Sequence, residues 1–335
     1  MGGLNPAYDF VKKCLKSGKS VVTSNKELVA AHGAELLQIA KDENVNFLFE
    51  ASVGGGIPII RPISQCLVAN IVDEIAGILN GTTNFILTKM IEDGMQFDAA
   101  LKLAQDLGFA ERNPAADIEG HDACRKICIL ASLAFGKHVY PNFVHTEGIT
   151  EITLEDVKYA EAYNCVIKLI GRVKRLDDGK IDIIVAPMFV PNKSQLANID
   201  YEFNGIMVRG DCTGDVVFYG KGAGKLPTAS AVVADVVDCC KHLKTRKFLF
   251  WADGNGDNIL PYEESVTAMY IRANTTFELA QEVFGCIDKI EKADSPEGEI
   301  AFVTAQLPYG EIIEKIAALE SRGANVISKI RIGDL

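Results

Sequence analysis

The chain has 335 residues, 48% of them hydrophobic and 24% charged, with a formal net charge of −11. That acidic balance argues against nucleic acid and a negatively charged membrane surface as partners. No apolar run reaches the length of a membrane span and no signal-peptide layout opens the chain, so a cytoplasmic protein with nine free thiols is expected.

Residues 1–50 read as two helix–strand units. AYDFVKKCLKSG is amphipathic and stops at Gly18, SVVTS follows as a β-branched strand, and KELVAAHGAELLQIAKDEN with VNFLFEASV repeats the pair. Alternation of this kind predicts a parallel sheet, the α/β class. A dinucleotide-binding fold opens on G-x-G-x-x-G between a first strand and helix, and that fingerprint does not precede these units. They therefore read as a partial Rossmann-type nucleotide domain, completed by about 222–250.

Residues 51–235 read as an α+β unit with a helix-covered sheet. Helices are predicted at PIIRPISQCLV, TNFILTKMIEDG, FDAALKLAQDLG and DACRKICILASLAFG, and strands at VIKLIGRVKRL, IDIIVAPMFV, GIMVRG and DVVFYG. The helix SAVVADVVDCCKHL leads to a linker, WADGNGDNILP. Residues 265–335 then give the order βαββαβ, a ferredoxin-like pattern.

The chemistry concentrates in FAERNPAADIEGHDACRKICIL, where Glu111, Asp117, Asp122 and Lys126 are spaced by six, five and four residues. Asp122 and Lys126 form an i,i+4 pair, which on a solvated helix is a minor ion pair. The helix that follows is apolar nearly all round, however, and a lysine one turn into a buried helix requires a partner. A desolvated lysine also has a lowered pKa, suited to moving protons near neutral pH. Structural pair and functional site are both open on the residues alone.

Four further stretches bear on this choice. Lys26 in SNKELVA follows a parallel strand, where ligands of open α/β sheets gather. EASVGGGIPII lets backbone approach a ligand or ion. LNGTTNF offers Asn80, Thr82 and Thr83 as hydrogen-bonding groups or as a helix cap. GKGAGKLPTASAV is a glycine turn before a helix, and Leu226 after its lysine excludes a P-loop, which needs Ser or Thr there. Cys124 with Cys128, and Cys239-Cys240 with His242, lack a second ligand pair and read as core residues rather than zinc ligands.

In order, SVVTSNK, EASVGGGIPII, ILNGTTNFIL, GFAERNPAADIEGHDACRKICILA and GKGAGKLPTASAV resemble the homoserine dehydrogenase family over about residues 2–250. The tail resembles an ACT domain, a small-ligand regulatory module. The resemblance implies an NAD(P)-dependent interconversion of L-homoserine and L-aspartate 4-semialdehyde, a step toward threonine, methionine and isoleucine. By motif position it makes Lys126 the proton-transferring lysine, Asp122 its paired carboxylate, and Lys26 the lysine between nicotinamide and substrate. Glu111 takes the substrate amino group, Asp117 and Thr82 line the same pocket, and Gly108 and Gly222 lie near the cofactor. A structural sodium ion is implied at Glu50, Val53, Gly55 and Ile57, mostly through backbone carbonyls, and a homodimer through the middle sheet.

Three departures accompany the resemblance. Roughly two βαβ units of about 30 residues each are expected ahead of residue 1. Asn113 stands where the family has aspartate before proline. RANTTFELAQ lacks the Asp-x-Pro-Gly-like turn around which ACT ligands bind, so the tail reads equally as a packing module. A different class of reading, a non-catalytic binding or assembly module that has lost the nucleotide-binding front, competes with the enzyme, and the retained charges favour the enzyme.

Overall fold

A computed structural model describes residues 3–243 and 245–335; Met1, Gly2 and Lys244, at the edges of the expected nucleotide-binding segments, lie outside the described residues. The first unit comprises α1 (Ala7–Lys16), β1 (Val21–Val22), α2 (Lys26–Asp42) and β2 (Phe47–Leu48). The two strands pair in parallel, Val21 with Phe47 and Val22 with Leu48. Asn25 caps α2 by accepting a hydrogen bond from Leu28 N, so Lys26 sits at the first turn of α2, just beyond the C-terminal end of β1.

The middle unit contains β3 (Val72–Ile78), α3 (Gly81–Glu92), α4 (Phe97–Asp106), α5 (Ala115–Ile118), α6 (His121–Phe135), β4 (His145–Thr146), α7 (Leu154–Ala162), β5 (Cys165–Arg175), β6 (Ile181–Pro191), β7 (Phe203–Gly210) and β8 (Gly214–Lys221). Four of these, β3, α5, β4 and α7, were not expected from the sequence; α5 and β4 are short, and the other two have identifiable reasons. Strand β3 carries Asp73 and Glu74, which disguise an apolar strand; Glu74 is 1% exposed and is neutralised by Arg172 (2.5 Å) and Arg209 (2.6 Å) from the two strands that flank it. Helix α7 has a polar composition, but Thr153 and Asp156 form a capping box that starts it.

Helix α8 (Lys225–Lys241) returns to the first unit, and the C-terminal part adds β9 (Val266–Thr267), β10 (Met269–Asn274), α9 (Phe277–Phe284), β11 (Ile287–Lys289), β12 (Glu299–Thr304), β13 (Leu307–Pro308), α10 (Tyr309–Ser321) and β14 (Asn325–Ile332). Among the described residues, one ten-stranded sheet runs β11-β12-β10-β14-β6-β5-β3-β7-β8, with β4 beside β6. The C-terminal strands thus keep the ferredoxin-like order, and their last strand also joins the middle sheet.

That junction lies on the outer edge of β6, which three short parallel segments share. Ile181 exchanges hydrogen bonds with Asn258 and Leu260, β4 pairs with Ile184 and Val185, and Arg331 and Ile332 of β14 pair with Met188 and Phe189. Both faces of β6 are covered. Ile183, Val185 and Phe189 face the main core with α6, while Ile184, Ala186, Met188 and Val190 face a second cluster with Leu196 and Met207. This two-sided burial explains why IDIIVAPMFV reads as a continuous apolar run rather than an alternating one. Helix α6 lies in the main core, with Ile127, Cys128, Leu130 and Ala131 fully buried. No helix among the described residues is long and apolar enough to cross a membrane.

Candidate active site

Four segments converge at the N-terminus of α6. Gly120, in the left-handed region at φ +83°, breaks the chain between α5 and α6 and sets the two helices, each bringing one carboxylate, side by side. Asp122 and Lys126, only 4% and 7% exposed, form an ion pair at 2.7 Å through Oδ2. Lys126 Nζ also donates to the carbonyl of Leu79 at 2.7 Å. Lys26 reaches Oδ1 of the same carboxylate at 2.6 Å, as a charge contact rather than an aligned hydrogen bond. Lys26 keeps much of its side chain exposed, so its head can turn toward a ligand.

Asn80 fills both roles left open by the sequence. Its Oδ1 accepts from Thr83 N at 2.8 Å and caps α3, while its Nδ2 donates to Asp117 Oδ1 (2.7 Å) and Asp122 Oδ2 (2.9 Å). One amide therefore fixes two carboxylates from different helices. Burial pushes the Asp122 carboxyl up, but the ammoniums of Lys126 and Lys26 outweigh it and hold the group well below the usual carboxylate range. Asp117 lacks so close a cation: burial raises its carboxyl, the Asn80 hydrogen bond opposes that, and the charge of Asp122 adds to the rise.

Two ammoniums and two carboxylates make the cluster neutral as a whole, yet its charges are separated in space. The lysines meet on Asp122, leaving Asp117 free to receive a cationic group. Such a site can bind an ammonium on one side and exchange a proton at Lys126 on the other.

The other expected residues stand further out. Thr82 Oγ1 donates to Phe109 O at 2.7 Å, and the Phe85 and Phe109 rings pack 4.8 Å apart, so α3 holds the loop that contains Gly108 and Glu111. Thr82 is thus positioned as a loop anchor. Glu111 is exposed; its carbonyl accepts from Gln105 Nε2 at 3.2 Å and its carboxylate makes no ion pair among the described residues. Gly108 is exposed at φ +79°. Asn113 Oδ1 accepts from Ala115 N at 3.4 Å, a local contact at the start of α5 that needs no charge.

Apart from the cluster, the glycine loop after β2 packs on the turn between β8 and α8. Gly56 N donates to Lys221 O at 3.1 Å, and a Cβ on Gly55 would lie 2.4 Å from the carbonyl oxygen of Gly222, so both chains must remain backbone there. The Glu50 carboxylate is 4% exposed and is taken up by backbone: Ile59 N at 2.6 Å, Ile60 N and Arg61 N each at 2.9 Å. Its side chain is therefore committed to the start of the next helix, and only its carbonyl could face an ion. The carbonyls of Val53, Gly55 and Ile57 accept no hydrogen bond among the described residues. Asp235 of α8 accepts from Glu50 N at 2.9 Å and pairs with Arg61, which ties α8 to this loop. Among the described residues no group of three or more His, Cys, Asp or Glu could hold a metal.

Two family models match the chain. A family model described as "Homoserine dehydrogenase" matches residues 58–237, and one described as "Homoserine dehydrogenase, NAD binding domain" matches residues 1–50. A homoserine dehydrogenase of Neisseria gonorrhoeae is 39% identical over 96% of this chain and 78% of its own length. One of Bacillus subtilis is 44% identical over 73% of this chain; the match spans 56% of that relative. Among solved structures, a homoserine dehydrogenase from Thiobacillus denitrificans superposes with a TM-score of 0.89 at 37% identity, covering 100% of this chain and 81% of that one. A hyperthermophilic archaeal homoserine dehydrogenase in complex with NADPH gives 0.60 at 31% identity, over 70% of this chain and 68% of its own.

Proposed function

The chain belongs to the homoserine dehydrogenase family, and from that premise we propose that it interconverts L-homoserine and L-aspartate 4-semialdehyde with NAD(P). The observation that carries the reading is the convergence of buried Lys126 and half-exposed Lys26 on Asp122, with Asp117 beside them.

The dinucleotide, when bound, supplies the acceptor or donor of hydride at the alcohol carbon. Residues present fit it: Lys26 stands at the C-terminal end of β1, and Gly222 offers backbone that no side chain could replace, beside the Gly55 loop. Lys126 holds the proton exchanged at the substrate oxygen, taking it as the alcohol is oxidised and returning it as the aldehyde is reduced. Asp122 orients the Lys126 ammonium along the Leu79 carbonyl and tethers Lys26, whose charge stabilises oxygen as it becomes anionic. Asp117 and Glu111 receive the α-ammonium, Glu111 by closure of the loop that Thr82 anchors, with Gly108 facing the cofactor from the same loop.

The direct test is NADPH oxidation by the purified protein on addition of L-aspartate 4-semialdehyde. Absence of turnover with both NADPH and NADH would sink the proposal. In the opposite direction, followed as NADP+ reduction by L-homoserine, Asp117→Asn raises the KM for homoserine by about tenfold, as expected for one ionic contact to the ammonium. The same change raises stability near neutral pH, because it removes a carboxylate that burial disfavours. The sign follows from linkage: the folded carboxyl titrates above its unfolded value, so the gain is largest when both are ionised and vanishes as pH falls through the folded value to below the unfolded one. Urea midpoints of both proteins across the acid range check it.

The glycine loop fits a sodium ion held by the carbonyls of Glu50, Val53, Gly55 and Ile57, an oxygen-only set suited to a hard cation. Its part is structural, shaping the loop against Gly222. Replacing sodium by choline is expected to weaken dinucleotide binding, and unchanged affinity in rigorously sodium-free buffer counts against the ion. We further read the C-terminal part as an ACT-like module, the assembly as a homodimer through the middle sheet, and the setting as cytoplasmic, in keeping with nine free cysteines.

A further inference from the structure

Asn204, the second residue of β7, is 1% exposed, yet neither its Oδ1 nor its Nδ2 has a hydrogen-bond partner among the described residues. Buried amides are nearly always paired, and leaving both atoms unpaired costs stability. The segment before Asn204 is fastened by several side-chain hydrogen bonds. Asn84 Nδ2 donates to the carbonyls of Ile199 (3.0 Å), Tyr201 (3.0 Å) and Phe203 (3.2 Å). Lys168 Nζ donates to Ile199 O at 2.7 Å, and Thr88 Oγ1 accepts from Tyr201 N at 3.0 Å. The backbone leading to Asn204 is fixed by three side chains, two from α3 and one from β5.

What the amide faces is equally specific. In the β7–β8 ladder Asn204 pairs with Gly220, which brings its side chain under the turn that follows β8. A Cβ on Gly222 would lie 2.1 Å from both Cγ and Nδ2 of Asn204, so the amide lies directly against the Gly222 backbone. A Cβ on Gly81 would lie 3.4 Å from Oδ1. Gly81 follows Asn80, which fixes Asp117 and Asp122. The amide therefore sits at the seam between the segment that builds the charged cluster and the turn that leads into α8.

We propose that Asn204 is a positioning residue for the dinucleotide: its amide hydrogen-bonds the Gly222–Gly224 backbone when that turn draws onto the bound cofactor. This rests on the proposed reaction. In the free protein a leucine of similar shape fills the same space without a desolvated polar group, so the amide is a cost that a hydrogen bond made in the bound state would offset. Its benefit belongs to the bound state, where the turn is held in register with the cluster at Asn80.

The test compares wild type with N204L in the full-length protein, by thermal unfolding, NADPH titration and steady-state kinetics. N204L is expected to unfold at or above the wild-type temperature while its Kd for NADPH and its KM for the dinucleotide rise at least tenfold. The KM for homoserine at saturating dinucleotide moves less than threefold, and N204S, which restores one polar group, recovers part of the loss. If N204L keeps all dinucleotide constants within twofold, whatever its stability, the amide serves only the fold and the inference is overturned. Should N204L fail to fold, N204A, which removes the amide without adding bulk, decides by the same limits. Wild type that neither binds NADPH nor turns over overturns the proposed function and this inference with it; active wild type with an intact N204L overturns this inference alone.

Discussion

Lys126→Met lowers kcat by roughly 10²–10⁴-fold, the range for removing a positioned acid–base group, while the KM for dinucleotide stays within a few-fold. Methionine keeps the length of the stem, so helix α6 loses little packing where Lys126 is 7% exposed. What it loses is the only buried ammonium in the cluster and the hydrogen bond to Leu79 O. Asp122 retains Lys26 at 2.6 Å, so its carboxylate is not orphaned and the site does not collapse. That retained pair makes the measurement informative: a fall in kcat without a fall in thermal midpoint separates chemistry from folding. Stopped-flow measurement of the chemical step checks it, and a variant within tenfold of wild type would remove Lys126 from the proton path.

Asp156→Ala carries the largest expected effect on stability, a loss of about 3–5 kcal/mol, the scale for breaking a buried ion pair from one side. Asp156 is fully buried, and both its oxygens are doubly used. Oδ1 accepts from Tyr270 OH and Arg272 Nε, each at 3.0 Å, and Oδ2 accepts from Thr153 N at 3.0 Å and Thr153 Oγ1 at 2.7 Å. Alanine strands a guanidinium, a tyrosine hydroxyl and the N-terminus of α7 together, although Arg272 keeps Glu299 at 3.2 Å. By contrast, the exposed pair Lys102–Asp106 is of the kind that contributes less than about 1 kcal/mol. Urea unfolding of Asp156→Ala and Lys102→Ala side by side checks the contrast, and equal midpoints would refute it. Asp156→Asn, which keeps the shape, should fall between them.

The sequence showed the charged cluster better than it showed the scaffold. Asp122 and Lys126 were recognisable because an i,i+4 pair opens an otherwise apolar helix, and that conflict requires a partner. Lys26 could be placed after a parallel strand, but its approach to Asp122 depends on how α2 docks against α6, which no local pattern encodes. Asn80 looked like either a cap or a ligand because an asparagine has two ends, and it uses both. Strand β3 was hidden since the cations that neutralise Glu74 lie about 98 and 135 positions away in the chain. Asn204 gave no signal: a polar residue before a strand ordinarily reads as a turn, and only burial without partners distinguishes it. The joining of β14 to β6 was equally hidden, because a ferredoxin-like order is complete without it.

The edge of β6 has a consequence for how this molecule can be cut or evolve. Eleven residues of an apolar strand would offer a long template for strand addition by other chains. Three small patches from distant parts of the sequence close it, two of them from beyond residue 257. Trimming the chain before residue 258 would uncover Ile181 and the Met188–Phe189 end together, and the product would be prone to aggregate. The C-terminal module is in this sense a chaperone carried in cis: even with no ligand of its own, it keeps the sheet beneath it from recruiting strangers.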